Sequence, residues 1–255
     1  MDVLNLAHGS FYMLGAYLGF SVLLATGNFW LALLIAPLAL ALLGAAMEMI
    51  FFRRLYRKGH LMQVLLTFGF SLVFVDLVKW RYGPTYQSIA PPRALSGPVH
   101  ILGTTFPAYR LFVIVVATVL AALLFFGWRT LKVGAILRAG VSDKEMVGLL
   151  GIDLYRTFTL TFAFGAALAG LSGVIAGPFL TIYPGMDENV LILALVVVVL
   201  GGLGSIDGAI VGAVIIGLAN SFGAFYLQQF AIAIVFAVMA LVLIVRPSGL
   251  FGLRQ

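Results

Sequence analysis

Residues 29–52 read FWLALLIAPLALALLGAAMEMIFF, and Glu48 is the only charged residue among them. A helix of this length rises about 36 Å, which is enough to cross a hydrocarbon core of about 30 Å. The chain as a whole has the same character, because 63% of its residues are hydrophobic and 9% are charged, against about 25% charged in an average soluble domain. The segment therefore predicts a membrane-spanning helix in a membrane protein.

Seven further apolar runs accompany it. They are Leu6–Gly27, Leu61–Trp80, Tyr109–Trp128, Thr157–Leu180, Val190–Gly204, Ala209–Tyr226 and Phe230–Val245. All are apolar on every side, whereas strands of a membrane β-barrel alternate in polarity. The runs after Leu180 are shorter and are separated by glycine-rich or polar breaks. We expect an all-α fold, a polytopic transmembrane helical bundle with about eight apolar segments including broken or half-spanning helices, in a single domain over residues 1–255.

Basic residues predict the topology of this bundle. Eleven of the 15 fall in three clusters, namely Arg53, Arg54, Arg57 and Lys58; Arg129, Lys132, Arg138, Lys144 and Arg156; and Arg246 and Arg254. Basic loops lie on the cytoplasmic side of a membrane, and even numbers of crossings separate these clusters. We therefore expect a cytoplasmic loop at 129–156, a cytoplasmic C-terminus and an external, proline-rich loop at 82–108. Topology also accounts for the net charge of +6, so the charge does not call for a nucleic-acid partner.

The loop at 129–156 contains its own helix signature. Ser142 and Glu145 have the spacing of a capping box around Asp143 and Lys144, and Gly151 suits a helix C-terminus. Between them lie the apolar residues Met146, Val147, Leu149 and Leu150. The pattern leaves two interpretations open. The short helix lies on the bilayer or its own bundle, or it inserts into a cytoplasmic subunit with Arg138, Asp143, Lys144 and Glu145 as a polar rim.

Polar side chains at the start of the first run are candidates for a solute path. Asn5, His8 and Ser10 lie at its mouth with Gly9 and Tyr12, and polar groups at membrane depth tend to face a cavity or a partner. A structural hydrogen bond at a helix entry is the alternative for His8. Because no second histidine or cysteine lies near His8 at ligand spacing, we expect no metal site.

A second candidate lies in the glycine-rich break at residues 201–208, GGLGSIDG. Exposed backbone groups at such a break form solute sites in several transporters, so Gly201, Gly202, Gly204 and Ser205 are path candidates. A tight cytoplasmic turn with Asp207 as the helix N-cap is equally compatible with the sequence. Either way the carboxylate of Asp207 suits a helix N-terminus.

Small residues recur at every fourth position of a later run, at Gly165, Ala169, Gly173 and Gly177. Such a strip permits close contact between membrane helices, so we expect helix packing there rather than a path. Among the acidic residues, Asp76 is expected to pair with Lys79. Asp187 and Glu188 follow Pro184-Gly185 and are expected to be external, where they receive a docking protein or are merely solvated.

Enzymatic functions find no support in the sequence. No Gly-Lys pair occurs, so there is no phosphate-binding loop of the GxxxxGK[ST] type, and the three histidines are widely separated. A transporter driven by an ion gradient would need ionisable residues deep in the bundle, whereas Asp2, His8, Glu48, Asp76 and Asp207 lie near the ends of runs. An ion-gradient-driven transporter or a channel for a small polar solute is therefore the weaker alternative.

Three motifs together resemble the permease subunits of branched-chain amino-acid ABC importers. The first is Asn5–Tyr17, NLAHGSFYMLGAY; the second is Arg138–Ala139 with Asp143–Ile152 and the run Thr161–Gly177; the third is Leu200–Ala209, LGGLGSIDGA. The first is more similar to the H-type permease than to its M-type partner. Members of that family usually have a hydrophobic segment before the first motif, so we expect a late start of the reading frame here.

The resemblance implies a permease subunit in the bacterial inner membrane that translocates branched-chain or related amino acids. It also implies partners: a second permease, either a homologous M-type chain or an identical copy, two cytoplasmic ATPase subunits that bind ATP and Mg²⁺, and an external solute-binding protein. The permease itself would carry no cofactor. The loop at 129–156 would contact the ATPase, which favours the second interpretation of its helix.

Overall fold

The computed structural model describes residues 5–56, 59–101, 103–142 and 144–252. Nearly all regular structure in these residues is helical. The helices are α1 (Ala7–Thr26), α2 (Phe29–Met47), α3 (Arg53–Leu55), α4 (His60–Tyr82), α5 (Ala108–Thr130), α6 (Lys132–Ser142), α7 (Lys144–Leu149), α8 (Leu154–Ala176), α9 (Met186–Gly201), α10 (Ile206–Tyr226) and α11 (Ala231–Val245). A π-helical turn, Glu48–Phe52, joins α2 to α3.

Every apolar run of the sequence corresponds to one of these helices. Seven helical segments of the described residues are long and apolar enough to cross a membrane. The eighth run is α9, whose 16 residues rise about 24 Å. The expected polytopic helical bundle is thereby confirmed.

Two loops contain structure that the sequence analysis did not predict. Residues 129–156 contain the helix α6 in addition to the expected short helix α7. Ser142 is the last residue of α6, so it is not a non-helical N-cap, and Asp143 lies outside the described residues. The proline-rich loop contains an antiparallel hairpin of β1 (Pro98–Ile101) and β2 (Thr104–Pro107), in which Val99 pairs with Phe106.

The chain divides into two compact units. The first comprises Met1–Thr118 and Leu131–Glu188, and the second comprises Val119–Thr130 and Asn189–Gln255. In the first, α8 packs against α1 and α2, and its core contains Phe29, Ala32, Ala36, Tyr109 and Val174. In the second, α9, α10 and α11 enclose Val196, Leu200, Ile216 and Val235.

The turn between α1 and α2 illustrates how local sequence ends one helix and begins the next. Gly27 has a φ of +67° and caps α1, its N–H donating to the Leu23 carbonyl, because glycine tolerates this conformation. The Asn28 side chain then accepts hydrogen bonds from the N–H groups of Trp30 and Leu31. An N-cap of this kind satisfies otherwise unpaired donors, so two residues reverse the chain between two membrane helices.

Small residues bring α8 into backbone contact with α1. A Cβ at Gly173 would overlap the Tyr12 carbonyl oxygen, and a Cβ at Gly165 would lie 3.1 Å from His8 Nε2. Gly177 is further along, against Ile89, and Ala169 is half-buried. The strip that the sequence suggested for packing therefore lies largely at a helix interface. Gly15 and Gly170, which the pattern did not single out, are a second place of backbone contact, since a Cβ at Gly15 would overlap the Gly170 backbone.

Candidate functional site

Helix α1 runs parallel to α4, and contacts between the two helices join residues that are 61 positions apart in the sequence. Ser10 Oγ lies 3.0 Å from Ser71 Oγ, and Ser21 Oγ lies 2.5 Å from Tyr82 Oη. Ser71 is the twelfth of the 23 residues of α4, and Gly165, which faces His8, is the twelfth of the 23 residues of α8. The first turn of α1 therefore lies at the level of the midpoints of α4 and α8, not at their ends.

A polar cluster occupies this level. The Ser10 hydroxyl donates to Asp187 Oδ2 at 2.8 Å, and the Ser71 hydroxyl lies 3.2 Å from the same oxygen. Ser10 is fully buried and Asp187 is 2% exposed. The expectation that Asp187 is solvated or receives a docking protein is wrong, because the chain after α8 turns back into the unit before α9 begins. Three elements, α1, α4 and α9, thus contribute to one buried cluster.

Residues 177–185 make this return outside the regular helices, and after Leu180, whose N–H still donates to the Ala176 carbonyl at 2.9 Å, the chain leaves the helical pattern. Their backbone finds other partners, since Gln87 and Ile182 exchange two backbone hydrogen bonds at 2.8 and 2.9 Å, and the N–H of Gly185 points to Met13 Sδ at 3.5 Å. Irregular backbone at membrane depth is tolerated where protein satisfies it. Ile182 is fully buried, so the segment is an internal part of the fold.

The other path candidates near the N-terminus have structural partners. Asn5 Nδ2 lies 2.6 Å from His8 Nδ1, and the His8 ring packs edge-on against Phe11 and Phe162. This is the helix-entry hydrogen bond that the sequence analysis left open for His8. Gly9 is buried, and Tyr12 is 7% exposed. Of the residues suggested at this end, Ser10 contacts a buried charge, and the assignment of the others to a path stays a prediction.

The glycine-rich break is a tight turn between α9 and α10. Gly201 and Gly208 are in backbone contact, Gly202 has a φ of +99° and lies against Gly252, and Gly204 has a φ of +82°. Ser205 is the N-cap of α10, accepting from the Gly208 N–H at 3.0 Å, so the alternative of a turn holds here with Ser205, not Asp207, as the N-cap. Asp207 instead pairs with Arg129 at 2.7 Å. These glycines serve close packing, and their assignment to a solute path stays a prediction.

A second buried charge, Glu48, lies in the π-helical turn after α2. It is fully buried and forms an ion pair with Arg53 at 3.3 Å. The hydroxyls of Thr159 and Tyr56 also donate to its carboxylate. Burial raises the pKa of the Tyr56 phenol, and the hydrogen bond to Glu48 adds to this effect. The cluster ties the end of α2 to the beginning of α8.

Apolar side chains are exposed on helix α7 and at Leu150 directly after it. Met146, Leu149 and Leu150 are 56%, 82% and 72% exposed, whereas Val147 is 4% exposed. Gly151 has a φ of +76° and ends the helix, as expected. Arg138 on α6 is exposed. The side chains of Ser142 and Glu145 lie outside the described residues with Asp143, so the coupling role of these residues stays a prediction.

Comparison with known proteins decides between the classes that this geometry allows. A family model described as the branched-chain amino acid transport system permease component matches residues 1–245. The chain belongs to this family. It is a membrane subunit of a transport system and not an enzyme. Among the described residues, no group of three histidine, cysteine or acidic side chains is arranged to hold a metal ion.

Relatives of this permease agree with the family match along nearly its whole length. It is 30% identical to the high-affinity branched-chain amino acid transport system permease protein LivH of Escherichia coli (strain K12), covering 99% of the chain and 86% of the relative. The permease protein BraD of Pseudomonas aeruginosa is 29% identical over 99% of the chain and 87% of its own length. A probable LivH of Methanocaldococcus jannaschii is 24% identical, with 98% and 84% covered. No solved structure matches the permease.

Sequence reasoning missed two residues of the mid-level cluster, Ser71 and Asp187. Ser71 is one hydroxyl in an otherwise apolar helix, and such hydroxyls often bond their own helix backbone. Asp187 carried a usable signal, because an acidic residue directly before an apolar run and directly after Pro184-Gly185 suits a helix N-terminus. What the sequence does not contain is the depth at which that helix begins.

Proposed function

We propose that this permease translocates branched-chain or related amino acids across a bacterial inner membrane as one subunit of an ABC importer. The observation that carries the proposal is the family match over residues 1–245, together with relatives named as branched-chain amino acid transport system permeases. The geometry supports a solute site in this region, since two helices begin beside a buried polar cluster at the midpoint of their neighbours.

Helices that begin within a bundle are a known way to form a transport site. Their first turns leave backbone N–H groups without helical partners, and transporters place such ends at mid-membrane, where they face the solute. Here α1 and α9 both begin beside Ser71. We therefore place the solute path in this region, along the face of α1 that carries Ser10, Tyr17 and Ser21.

The energy source in this proposal is ATP hydrolysis on two separate cytoplasmic subunits, which bind ATP and Mg²⁺. An external binding protein delivers the solute, and a second permease, homologous or identical, completes the pore. Solute and nucleotide then bias two conformations of the membrane subunits, each by its differential affinity for them. The C-terminus lies in the cytoplasm, as the basic clusters predict.

Support for this topology comes from the second unit. Arg129, at the end of α5, contacts Asp207 at the beginning of α10, which supports a common side of the membrane for the start of the basic loop and the glycine-rich turn. Exposed apolar residues support an ATPase contact at the loop 129–156, because Met146 and Leu149 of α7, and Leu150 directly after it, have the spacing of one helix face. Such a face fits a groove of a partner subunit.

One sequence-based objection to an ion-gradient-driven transporter no longer holds. Buried acidic residues do exist, at Glu48 and Asp187. Glu48 has its own cation in Arg53, and the family match, not the scarcity of acidic residues, favours ATP as the energy source.

The test is transport by the purified complex. Permease, companion subunits and binding protein are reconstituted in proteoliposomes, and uptake of labelled leucine is measured with ATP inside or with a proton or sodium gradient alone. We expect uptake that requires ATP and the leucine-loaded binding protein. A matched complex with ATPase subunits unable to hydrolyse ATP serves as the control. Uptake driven by a gradient without ATP would overturn the proposal.

A further inference from the structure

Asp187 has a carboxylate oxygen that the protein leaves unsatisfied. Three buried side-chain atoms of the described residues have no hydrogen-bond partner: Tyr17 Oη, Gln63 Oε1 and Asp187 Oδ1. Asp187 is the ionisable carboxylate among them, and its residue is 2% exposed. The two hydroxyls that reach it, from Ser10 and Ser71, both contact the other oxygen, Oδ2.

A buried carboxylate in this position calls for a cation. An uncompensated charge away from water costs far more than an unpaired neutral group, and two hydroxyls at one oxygen do not neutralise it. Asp187 forms no ion pair with any basic side chain of the described residues. Glu48, the other fully buried acid, shows the contrast, since Arg53 and two hydroxyls satisfy it. Asp187 thus lacks the partner that Glu48 has.

Asp187 lies beside the part of α1 along which the proposed function places the solute path. It lies in the first turn of α9, directly after the non-helical residues 177–185, and beside Ser71 at the midpoint of α4. The first turn of a helix is also a favourable position for an acidic side chain. Its second oxygen keeps full capacity to accept a hydrogen bond from a donor outside the protein.

We propose that Asp187 Oδ1 accepts a hydrogen bond from the ammonium group of the amino acid at the midpoint of the path. Ser10 and Ser71 hold Oδ2 and thereby orient the carboxylate. This inference rests on the proposed function and adds to it the group of the solute that is recognised within the membrane. It assigns the permease a selectivity of its own: a solute must carry a protonated amino group, whatever its side chain.

The experiment measures solute held by the complex rather than transport alone. The complete importer with its binding protein is trapped with vanadate and ATP, freed of unbound solute, and assayed for retained tritiated leucine. A parallel sample uses labelled 4-methylpentanoate, which is leucine without its amino group, at concentrations that saturate each pathway. Asp187→Asn removes the charge with little change of shape. Asp76→Asn, which removes an exposed carboxylate from α4, is the matched control.

We expect the wild-type complex and Asp76→Asn to retain leucine and to discriminate against 4-methylpentanoate. Asp187→Asn should retain about tenfold less leucine, as loss of a charge-assisted hydrogen bond implies, and should no longer prefer leucine. Ser71→Ala should give a smaller loss because it changes only the orientation of the carboxylate. If Asp187→Asn fails to assemble, the test is the retention of leucine and of 4-methylpentanoate by the wild-type complex. Equal retention of the two solutes would overturn the inference.

Two further outcomes separate this inference from the proposed function. Unchanged leucine retention by assembled Asp187→Asn would show that another cation satisfies Asp187 and would overturn the inference, while ATP-dependent uptake by the wild type would leave the proposed function intact. Absence of ATP-dependent leucine uptake by the wild-type complex would overturn the proposed function itself.

Discussion

Glu48 and Arg53 form an ion pair in which the carboxylate is fully buried and the guanidinium is 35% exposed. Their backbone atoms belong to the π-helical turn and the short helix α3 that follows it. Arg53 also donates to Thr159 in α8 at 2.9 Å, so one carboxylate organises a junction of two helices. π-Helical turns often occur at functional sites, and this one lies at the end of α2.

Replacing Glu48 with Gln should destabilise the permease measurably. The amide cannot neutralise Arg53, and one of its two terminal atoms no longer accepts hydrogen bonds. We expect a loss of about 2 kcal/mol, below the value for a fully buried pair because Arg53 keeps solvent contact. Thermal unfolding in detergent measures this as a lower midpoint. Asp76→Asn breaks the exposed pair with Lys79 and should change the midpoint little; equal effects of the two variants would contradict the prediction.

A methyl group at Gly173 should disrupt the contact of α8 with α1. The added Cβ would overlap the Tyr12 carbonyl oxygen, and backbone cannot move aside as a flexible side chain can. We expect Gly173→Ala to lower stability by about 2 kcal/mol or more and to reduce the yield of folded permease. Gly69→Ala is the control, because nothing lies within 4 Å of its added Cβ and alanine favours helix. Size-exclusion profiles and unfolding midpoints distinguish the two.

At α7 and directly after it, exposed apolar residues should affect ATPase binding, whereas buried ones should affect stability. Leu150→Ser removes an apolar side chain that is 72% exposed, so stability should change by under about 0.5 kcal/mol while less ATPase copurifies. Val147→Ala shortens a buried side chain and should cost about 1 kcal/mol. Copurification and unfolding midpoints are measured on both variants. Full ATPase recovery with Leu150→Ser would argue that this surface faces lipid instead.

At the glycine-rich turn, the N-cap should matter more than the ion pair. Ser205→Ala deletes the side-chain acceptor for the Gly208 N–H and should cost about 1 kcal/mol. Asp207→Asn breaks the ion pair with Arg129. Because the Asp207 side chain is 36% exposed and the Arg129 side chain is 56% exposed, this loss should cost under about 1 kcal/mol. Unfolding midpoints at low and high salt test this order, since only the ion pair is screened by salt. A larger effect for Asp207→Asn would reverse our assignment.

The local sequence pattern was sufficient to predict the helices and several of their ends. Apolar run length predicts each long helix, and residues such as Gly151 act through their own backbone conformation, which the sequence reveals directly. The Asp76–Lys79 pair, at 3.4 Å, was likewise predictable because three residues bring side chains together on a helix.

The depth at which a helix begins within the bundle was not predictable, because it depends on partners that are far away in the chain. The run Leu6–Gly27 has the length of a full span, yet its first turn lies beside Ser71, 61 residues from Ser10. Asp187 is 177 residues from Ser10, and no local signal distinguishes an acidic helix start at the surface from one inside a bundle. The same limitation hid α6, whose buried residues Gly134, Leu137 and Gly140 follow from its packing against α8.

The backbone bridge between Gln87 and Ile182 has a mechanical consequence. Gln87 belongs to the loop between α4 and α5, and Ile182 lies five residues before Asp187. A force that displaces the loop at Gln87 must either break two hydrogen bonds or pull Ile182 with it. Since only five residues separate Ile182 from Asp187, a displacement of Ile182 would also move the carboxylate that contacts Ser10. A protein that binds this loop and displaces Gln87 would therefore also move the buried carboxylate of Asp187.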